Sequence, residues 1–373
     1  MTQRTAGPPR ALSLRATGDA HWSEVLKDAL AQDGGVERGT HGFHAYPARM
    51  HPDTAARLIT ECEGLVHDPF CGGGTVLLEA RLAGRASSGT DLSPIAVLVS
   101  KARCAGPEMA TPVRSASRKI AERGRQRLDV EVPELVARWY EPHVAQELGR
   151  MRDGIKVANP TVQPLLRAVL SSILIKASFR ESDTSNQRKP YHRPPGTTAT
   201  LFHKKARELG RALEAMEDGP APRVRRGDAR KMAAVDPAGL ILTSPPYPGV
   251  YDYLPMHQLR YAWLEMEAES EHSLEIGARR GFRAKGRQDA LKRWRQDTER
   301  WIATQTAGLA SGGRFVIIVG DGLVGGRPVD TLGPTVESLR AAGLQIVARA
   351  SADRVDHARE AVRIEHMVMA QKG

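Results

Sequence analysis

Short apolar runs of strand length alternate along this 373-residue chain with stretches whose apolar positions recur every three to four residues. Gly64-Leu65-Val66-His67 and Gly239-Leu240-Ile241-Leu242 are brief runs, and Arg314-Phe315-Val316-Ile317-Ile318-Val319-Gly320 reads as a buried strand. Further strands are predicted over Ala86 to Thr90, ending at Asp91, and just before Gly227. Leu344 to Val347 and His366 to Ala370 are expected to close a sheet as an antiparallel hairpin at its edge. Helical periodicity covers His21 to Gln32, the segment through Leu58-Ile59, Val76 to Ala80, Val113 to Leu128, Glu134 to Ile155, Val162 to Ala177, Thr200 to Met216, Met256 to Glu265 and Thr331 to Gly343. Another helix is expected to run up to Gly312-Gly313. Residues 1 to about 20 are polar, contain Pro8-Pro9, and read as a loose tail.

Composition narrows the class. Hydrophobic residues make up 41% and charged residues 26%, enough apolar material for a packed core. The formal net charge of +11 and a sequence pI near 9.8 favour a polyanionic partner, nucleic acid ahead of a membrane surface; a merely soluble basic protein is the alternative. No apolar run is long enough for a transmembrane helix, and the N-terminus lacks the apolar core of a secretory signal. Cys62, Cys71 and Cys104 form no C-x-x-C pair, which fits a reducing, cytoplasmic setting and argues against structural zinc. His41 and His44 have no third ligand at metal spacing, so they are expected to serve packing and hydrogen bonding, and no metal site is expected.

Three places carry chemistry. Thr243-Ser244-Pro245-Pro246-Tyr247 follows an apolar strand end. Two prolines stop the ladder and hold an extended backbone whose carbonyls stay unpaired. Ser244 adds a hydroxyl and Tyr247 a flat ring, a combination suited to a planar group that bears an amine; a Pro-rich loop closing a core strand is the plainer alternative. Asp68-Pro69-Phe70-Cys71-Gly72-Gly73-Gly74-Thr75 joins a strand to a helix start, and its glycines allow close approach of backbone to a ligand. The turn lacks the spacing and the lysine of a phosphate-binding P-loop. Asp91, at the end of the next strand, stands where Rossmann-type folds hold ribose hydroxyls; capping the helix that starts at Pro94 is its alternative role.

Ser244-Pro245-Pro246-Tyr247 resembles the catalytic motif of amino-group DNA methyltransferases, and its Thr-Ser-Pro-Pro-Tyr form is most similar to the cytosine-N4 enzymes. Asp68 to Thr75 resembles motif I of that family, which cradles S-adenosylmethionine. The resemblance runs through about two-thirds of the chain and implies a Rossmann-like class I methyltransferase sheet, mainly parallel, with an antiparallel C-terminal edge and a helical insertion. It implies a donor site of Tyr46, Asp68, Phe70, Cys71, Gly72, Gly74 and Thr75. Asp91 would face the ribose and Asp228, in Gly227-Asp228-Ala229, the adenine amino group. It implies that Ser244, Pro245, Pro246 and Tyr247 hold the exocyclic amine of a base flipped out of a duplex, with Tyr247 stacking on it. Adenine-N6 transfer, guanine-N2 transfer in RNA, and a non-catalytic nucleic-acid-binding protein are the alternatives. Cytosine C5 chemistry is excluded, because it needs a Pro-Cys nucleophile loop and the chain has no Pro-Cys dipeptide.

The domain plan is a tail and short helix over 1–35, a catalytic domain over 36–105 and 223–373, and an inserted helical subdomain over 106–222 as a target-recognition element. In relatives with a recognition domain, that insertion usually follows the adenine-contact motif; here it precedes Asp228. Two basic stretches are the expected nucleic-acid contacts. Phe179 to Gly196 reads as a loop carrying Arg188, Lys189 and Arg193, and residues 276–295 carry Arg279, Arg280 and Arg283 with Phe282 and Trp294 interleaved. Tyr251 is expected to join them from the loop after Tyr247. DNA is preferred to RNA as the partner. A solvated basic face is the alternative for both stretches.

Overall fold

The structure, a computed structural model, describes residues 13–36, 38–47, 49–183, 185–189, 192–267, 274–324, 327–356 and 361–373. The elements in chain order are β1 (Leu14–Gly18), α1 (Ala20–Ala31), α2 (Pro52–Glu61), β2 (Leu65–Asp68), α3 (Thr75–Leu82), β3 (Ser87–Asp91) and α4 (Pro94–Arg103). Then come α5 (Ala110–Gly124), α6 (Glu134–Ala137), α7 (Pro142–Lys156), α8 (Gln163–Ala177), β4 (Arg180–Ser182), β5 (Ser185–Arg188) and α9 (Thr197–Glu214). The chain continues with β6 (Arg223–Arg226), β7 (Ala238–Thr243), α10 (Tyr253–Met256), α11 (Gln258–Leu264), α12 (Arg279–Lys285) and α13 (Arg287–Ala307). It ends with β8 (Leu309–Gly320), β9 (Gly322–Val324), β10 (Arg327–Val329), α14 (Leu332–Ala341), β11 (Leu344–Asp356) and β12 (Ala361–Lys372).

Eight strands form one sheet in the order β1-β11-β12-β8-β7-β2-β3-β6. The five from β8 to β6 are parallel, while β12 is antiparallel to both β8 and β11. This is the mainly parallel Rossmann-like sheet, with an antiparallel C-terminal hairpin, that the sequence implied. The sheet order turns back at β2, so that β3 and β6 extend it one way and β7 and β8 the other. Ligands bind beyond the carboxyl ends of the strands at such a switch point.

Burial explains the sheet. Phe315, Val316 and Ile317 of β8 and Leu240, Ile241 and Leu242 of β7 are fully buried, because helices cover both faces. Each such side chain contributes ~1.5–3 kcal/mol relative to exposure. One face packs on α1 and α2, through Leu26, Leu30, Leu58 and Ile59. Part of the other packs on α13 and α14, through Trp301, Ile302 and Leu339. The segment 106–222 shares one cluster of buried residues with α3, α4 and α11, so its helices extend the hydrophobic core on that side of the sheet.

Several local expectations need correction. Residues 1–12 of the expected tail lie outside the described residues, but Leu14–Gly18 form β1, which pairs with β11, so the hairpin is not the sheet edge. Its period-two signal is only five residues long, and its pattern alternates half-buried with exposed positions. Gly18 has φ 120°, and a Cβ there would lie 2.3 Å from the Val347 carbonyl oxygen, so glycine permits this close pairing. The helix expected over Glu134 to Ile155 is broken into α6 and α7, because Pro142 can begin a helix but not continue one. The loop expected over 179–196 contains the hairpin of β4 and β5, whose strands are too short to show alternation. The last long helix stops at Ala307, and β8 already runs through Gly312 and Gly313.

Candidate active site

β2 ends at Asp68 and the glycine turn follows. The Cys71 amide is held by the Thr90 carbonyl at 3.0 Å, and the Gly74 amide returns to the Cys71 carbonyl at 2.7 Å. Gly72 and Gly74 have φ of 47° and 79°, in the left-handed region that side chains disfavour. A Cβ on Gly74 would also sit 2.9 Å from Ser100 Cα, so α3 begins there only because the residue is glycine. Thr75 opens α3 and is buried, as is the Cys71 thiol, whose pKa burial pushes well up. Cys62, Cys71 and Cys104 are free thiols.

Asp91 Oδ2 accepts the Gly72 amide at 2.8 Å and its Oδ1 accepts the Ser93 amide at 2.8 Å. The side-chain cap of α4 is Ser93, which accepts from the Ala96 amide. The capping role weighed for Asp91 therefore falls to Ser93, and Asp91 braces the glycine turn. Arg103, from α4, was not foreseen. It is fully buried and donates to the Gly73 carbonyl at 2.6 Å and to the carbonyls of His41 and His44. One guanidinium thus clamps the glycine turn to the loop that carries Tyr46. Burial lowers its pKa to about 9, still cationic at neutral pH. A charge at helix spacing looks like any solvated arginine, so the sequence held no signal for it. The two histidines of this loop are tied in place, His41 to Glu79 at 2.5 Å and His44 to Ser171 at 2.9 Å.

A cleft lies beyond the ends of β2, β3, β6 and β7. Tyr46, Phe70, Gly72, Asp91, Asp228, Ser244 and Pro246 line it, together with Tyr253 and Glu275. Asp68 stands behind this wall, buried, with Thr243 Oγ1 and the Phe70 amide donating to its Oδ1 at 2.7 and 3.1 Å. Desolvation dominates and raises the Asp68 pKa from 3.8 to about 7, against those two hydrogen bonds. Phe70 meets Trp301 edge-on at 5.1 Å. Asp228 is gripped by the guanidinium of Arg230, which also pairs with Asp297 at 2.7 Å. Burial would raise the Asp228 pKa, but Arg230 holds it below the usual carboxylate value.

A second cleft adjoins the first, and Ser244 and Tyr253 belong to both. Pro245, Tyr247, Tyr251, Arg49, Arg354 and Glu365 also line this outer cleft. Ser244 Oγ and Tyr247 Oη are 3.2 Å apart. The Tyr247 ring lies where a Cβ on Gly320 would be, at 2.6 Å from Cε2. Tyr251 and Tyr253 pack at 5.3 Å between ring centroids, which forms an aromatic wall beside Tyr247. Tyr253 is held by its amide on Glu275, whose other oxygen takes Arg280 at 2.7 Å.

The basic stretches are placed differently from the sequence reading. Arg193 is buried and donates to the Lys176 carbonyl, which leaves it facing inward. Arg188 lies over the rings of Phe179 and Trp139 at 5.3 and 5.9 Å; Lys189 is exposed. Arg279 donates to the Val250 carbonyl, and Arg280 pairs with Glu275 and Asp252, so both brace the loop that follows Tyr247. Arg283 is exposed. Phe282 and Trp294 are interior, not interleaved on a surface, because α12 and α13 turn those positions toward the core. Pro190 and Tyr191 of the first stretch lie outside the described residues.

No family model matches the chain. Over 70 residues, 17% of this chain, it is 37% identical to the type II methyltransferase M.MvaI of Kocuria varians, and the match spans 15% of that protein's length. Among solved structures it is similar to the rRNA methyltransferase aviRa from Streptomyces viridochromogenes, with a TM-score of 0.33 and 13% identity over 85% of this chain and 84% of that one. TrmN from Thermus thermophilus gives 0.31 and 12% over 86% of this chain and 49% of that one. A geranyl diphosphate methyltransferase bound to S-adenosylmethionine gives 0.35 and 9% over 91% and 97%. Scores this low leave the fold to be argued from the strand order itself. Among the described residues, no helix is long and apolar enough to cross a membrane.

Proposed function

We propose that this chain transfers a methyl group from S-adenosylmethionine to the exocyclic amine of a nucleic-acid base, with cytosine N4 in DNA as the first choice. The observation that carries the reading is the meeting of two clefts at Ser244. One is lined by the glycine turn and by Asp91 and Asp228, the other by the carbonyl-bearing Pro-Pro turn and three tyrosines. A donor and an acceptor bound on either side of that turn would face each other across it. The short match to a type II methyltransferase supports the same direction.

The inner cleft suits the donor. Gly72 has no side chain to keep a ligand off the backbone, Asp91 would take the ribose, and Phe70 and Tyr46 offer apolar walls. When bound, S-adenosylmethionine supplies an electrophilic methyl group. The chain's own residues supply orientation and charge placement. An aromatic amine is a poor nucleophile because its lone pair delocalises into the ring. Hydrogen bonds from its N–H groups to Ser244 Oγ and the Pro245 carbonyl favour a tetrahedral nitrogen and localise that pair. The tyrosines cover the base and exclude water. In this reading the exposed Lys189 and Arg283 contact phosphate, and the insertion over 106–222 reads the flanking sequence.

The test is transfer of labelled methyl from S-adenosylmethionine to DNA and to RNA, followed by nucleoside mass spectrometry. N4-methylcytosine in DNA is the expected product. N6-methyladenine would move the base assignment, methyl groups only in RNA would move the substrate, and no transfer to either would remove the reading.

A further inference from the structure

Methylation of an amine leaves a proton to dispose of, and the outer cleft has a group placed to take it. We propose that Glu365 is the terminal proton acceptor of a path that begins at Ser244 and runs through Tyr247, and that this path drains the acceptor amine as it is methylated. The proposal rests on the methyl-transfer reading above.

Glu365 lies on β12, directly across from Gly320 of β8. The Tyr247 ring occupies the space that a side chain on Gly320 would fill, which brings the phenol over the same spot on the sheet. Tyr247 Oη is 3.2 Å from Ser244 Oγ, and Ser244, Tyr247 and Glu365 line the same cleft. Glu365 Oε2 accepts from Arg354 Nε at 2.9 Å, and Arg354 Nη2 is anchored on the Leu30 carbonyl at 2.6 Å. Arg354 therefore fixes one carboxylate oxygen of Glu365 at the wall of the cleft that Tyr247 also lines. The other charged groups of this cleft are Arg363 on β12, Arg49 and His51 before α2, and Asp33 after α1.

Asp91, Asp228 and Glu275 line the inner cleft, whereas Glu365 lines the outer one together with Tyr247. Burial raises the Tyr247 phenol well above its ordinary value, so a phenolate is no resting place for the proton. The phenol can pass a proton only if an acceptor lies beyond it.

The step balances as follows. A nitrogen–carbon bond forms as the sulfur–carbon bond breaks, and that bond's electron pair stays on sulfur. The nitrogen, now cationic, gives one proton to Ser244 Oγ while the Ser244 proton moves to Tyr247 Oη and the Tyr247 proton moves to Glu365. The products are a neutral methylated amine, a neutral thioether and a neutral carboxylic acid, which solvent in the outer cleft deprotonates. Glu365 acts through Tyr247 and need not touch the base.

Glu365→Gln keeps the size and the contact with Arg354 but removes the base. In single-turnover transfer at neutral pH, on the polynucleotide that the wild type methylates, the rate should fall ~100-fold, within the range for general base catalysis. Tyr247→Phe preserves the ring and cuts the path; it should cost a similar factor, and the double variant no more than either single one, because the two act as a unit. Calorimetric binding of S-adenosylhomocysteine should match wild type in all three, which shows them folded. A Glu365→Gln protein with wild-type rate, or a Glu365→Asp protein no faster than Glu365→Gln, would overturn the relay alone. Absence of transfer by the wild type on any polynucleotide would overturn both the relay and the function.

Discussion

Thr243 Oγ1 donates a 2.7 Å hydrogen bond to Asp68 Oδ1, which joins the last residue of β7 to the last residue of β2. Thr243 immediately precedes Ser244, so the donor-side carboxylate and the acceptor turn share one buried contact. Both partners are almost fully buried, and neither residue type alone would have suggested the pair.

Burial of Asp68, which this contact only partly offsets, predicts a pH-dependent donor site. Asp68 titrates near 7 because desolvation outweighs the bond from Thr243. Its folded value lies above the ordinary 3.8, so the folded chain holds the proton more tightly than the unfolded one. The stabilisation from this proton is full below about pH 4 and is lost as pH rises through about 7. Asp68→Asn should therefore flatten the pH dependence of stability between those limits in chemical denaturation. If the ionised form is needed for the donor's ammonium, affinity for S-adenosylmethionine should drop about tenfold per pH unit below 7. Thr243→Val removes a bond that favours the ion, so the drop should begin at higher pH, and Thr243→Ser should restore it. Calorimetric titrations from acid to mildly alkaline pH read both effects.

Gly320 sets the place of the Tyr247 ring. Gly320→Ala puts a methyl group 2.6 Å from Cε2, closer than carbon atoms can approach, so the ring must move. Transfer should fall at least tenfold with donor affinity unchanged, because the inner cleft does not include Gly320. Loss of S-adenosylhomocysteine binding in this variant would mean that the two clefts are not separable.

The arginines of residues 276–295 should divide by role. Arg283 is exposed, and Arg283→Ala should lower the salt slope of nucleic-acid binding by about one without changing the transfer rate at saturation. Arg280 partners Glu275, whose side chain is 5% exposed and whose pKa burial raises against the pull of Arg280. Removal of Arg280 leaves that carboxylate without its cation at a cost of ~1–3 kcal/mol. Arg280→Ala should therefore lower the melting temperature and slow transfer through Tyr253, whose amide Glu275 holds. An Arg280→Ala protein that changes only its salt dependence would assign Arg280 to phosphate instead.

The sequence alone determined what is local. Glycines at 72 and 74 can adopt a left-handed backbone, Pro245 and Pro246 forbid a ladder, and short apolar runs bounded by glycine or proline read as buried strands. These are properties of single residues and short periods, so the glycine turn after β2, the Pro-Pro turn after β7 and most of the order of strands and helices were legible. Tertiary structure decided what depends on which surfaces meet. The strand at Leu14–Gly18 exists because β11 offers it an edge, and a hairpin of short strands forms where a loop was expected. Whether an arginine faces solvent or a carbonyl is set by neighbours distant in sequence. Arg103 and Arg193 look like their solvated counterparts along the chain, yet both are buried on backbone oxygens. For the same reason Glu275 and Glu365 carried no signal. They enter the two clefts only because the hairpin of β11 and β12 and the loops around α10 and α12 converge on the turn at Ser244, and no short-range pattern encodes that convergence.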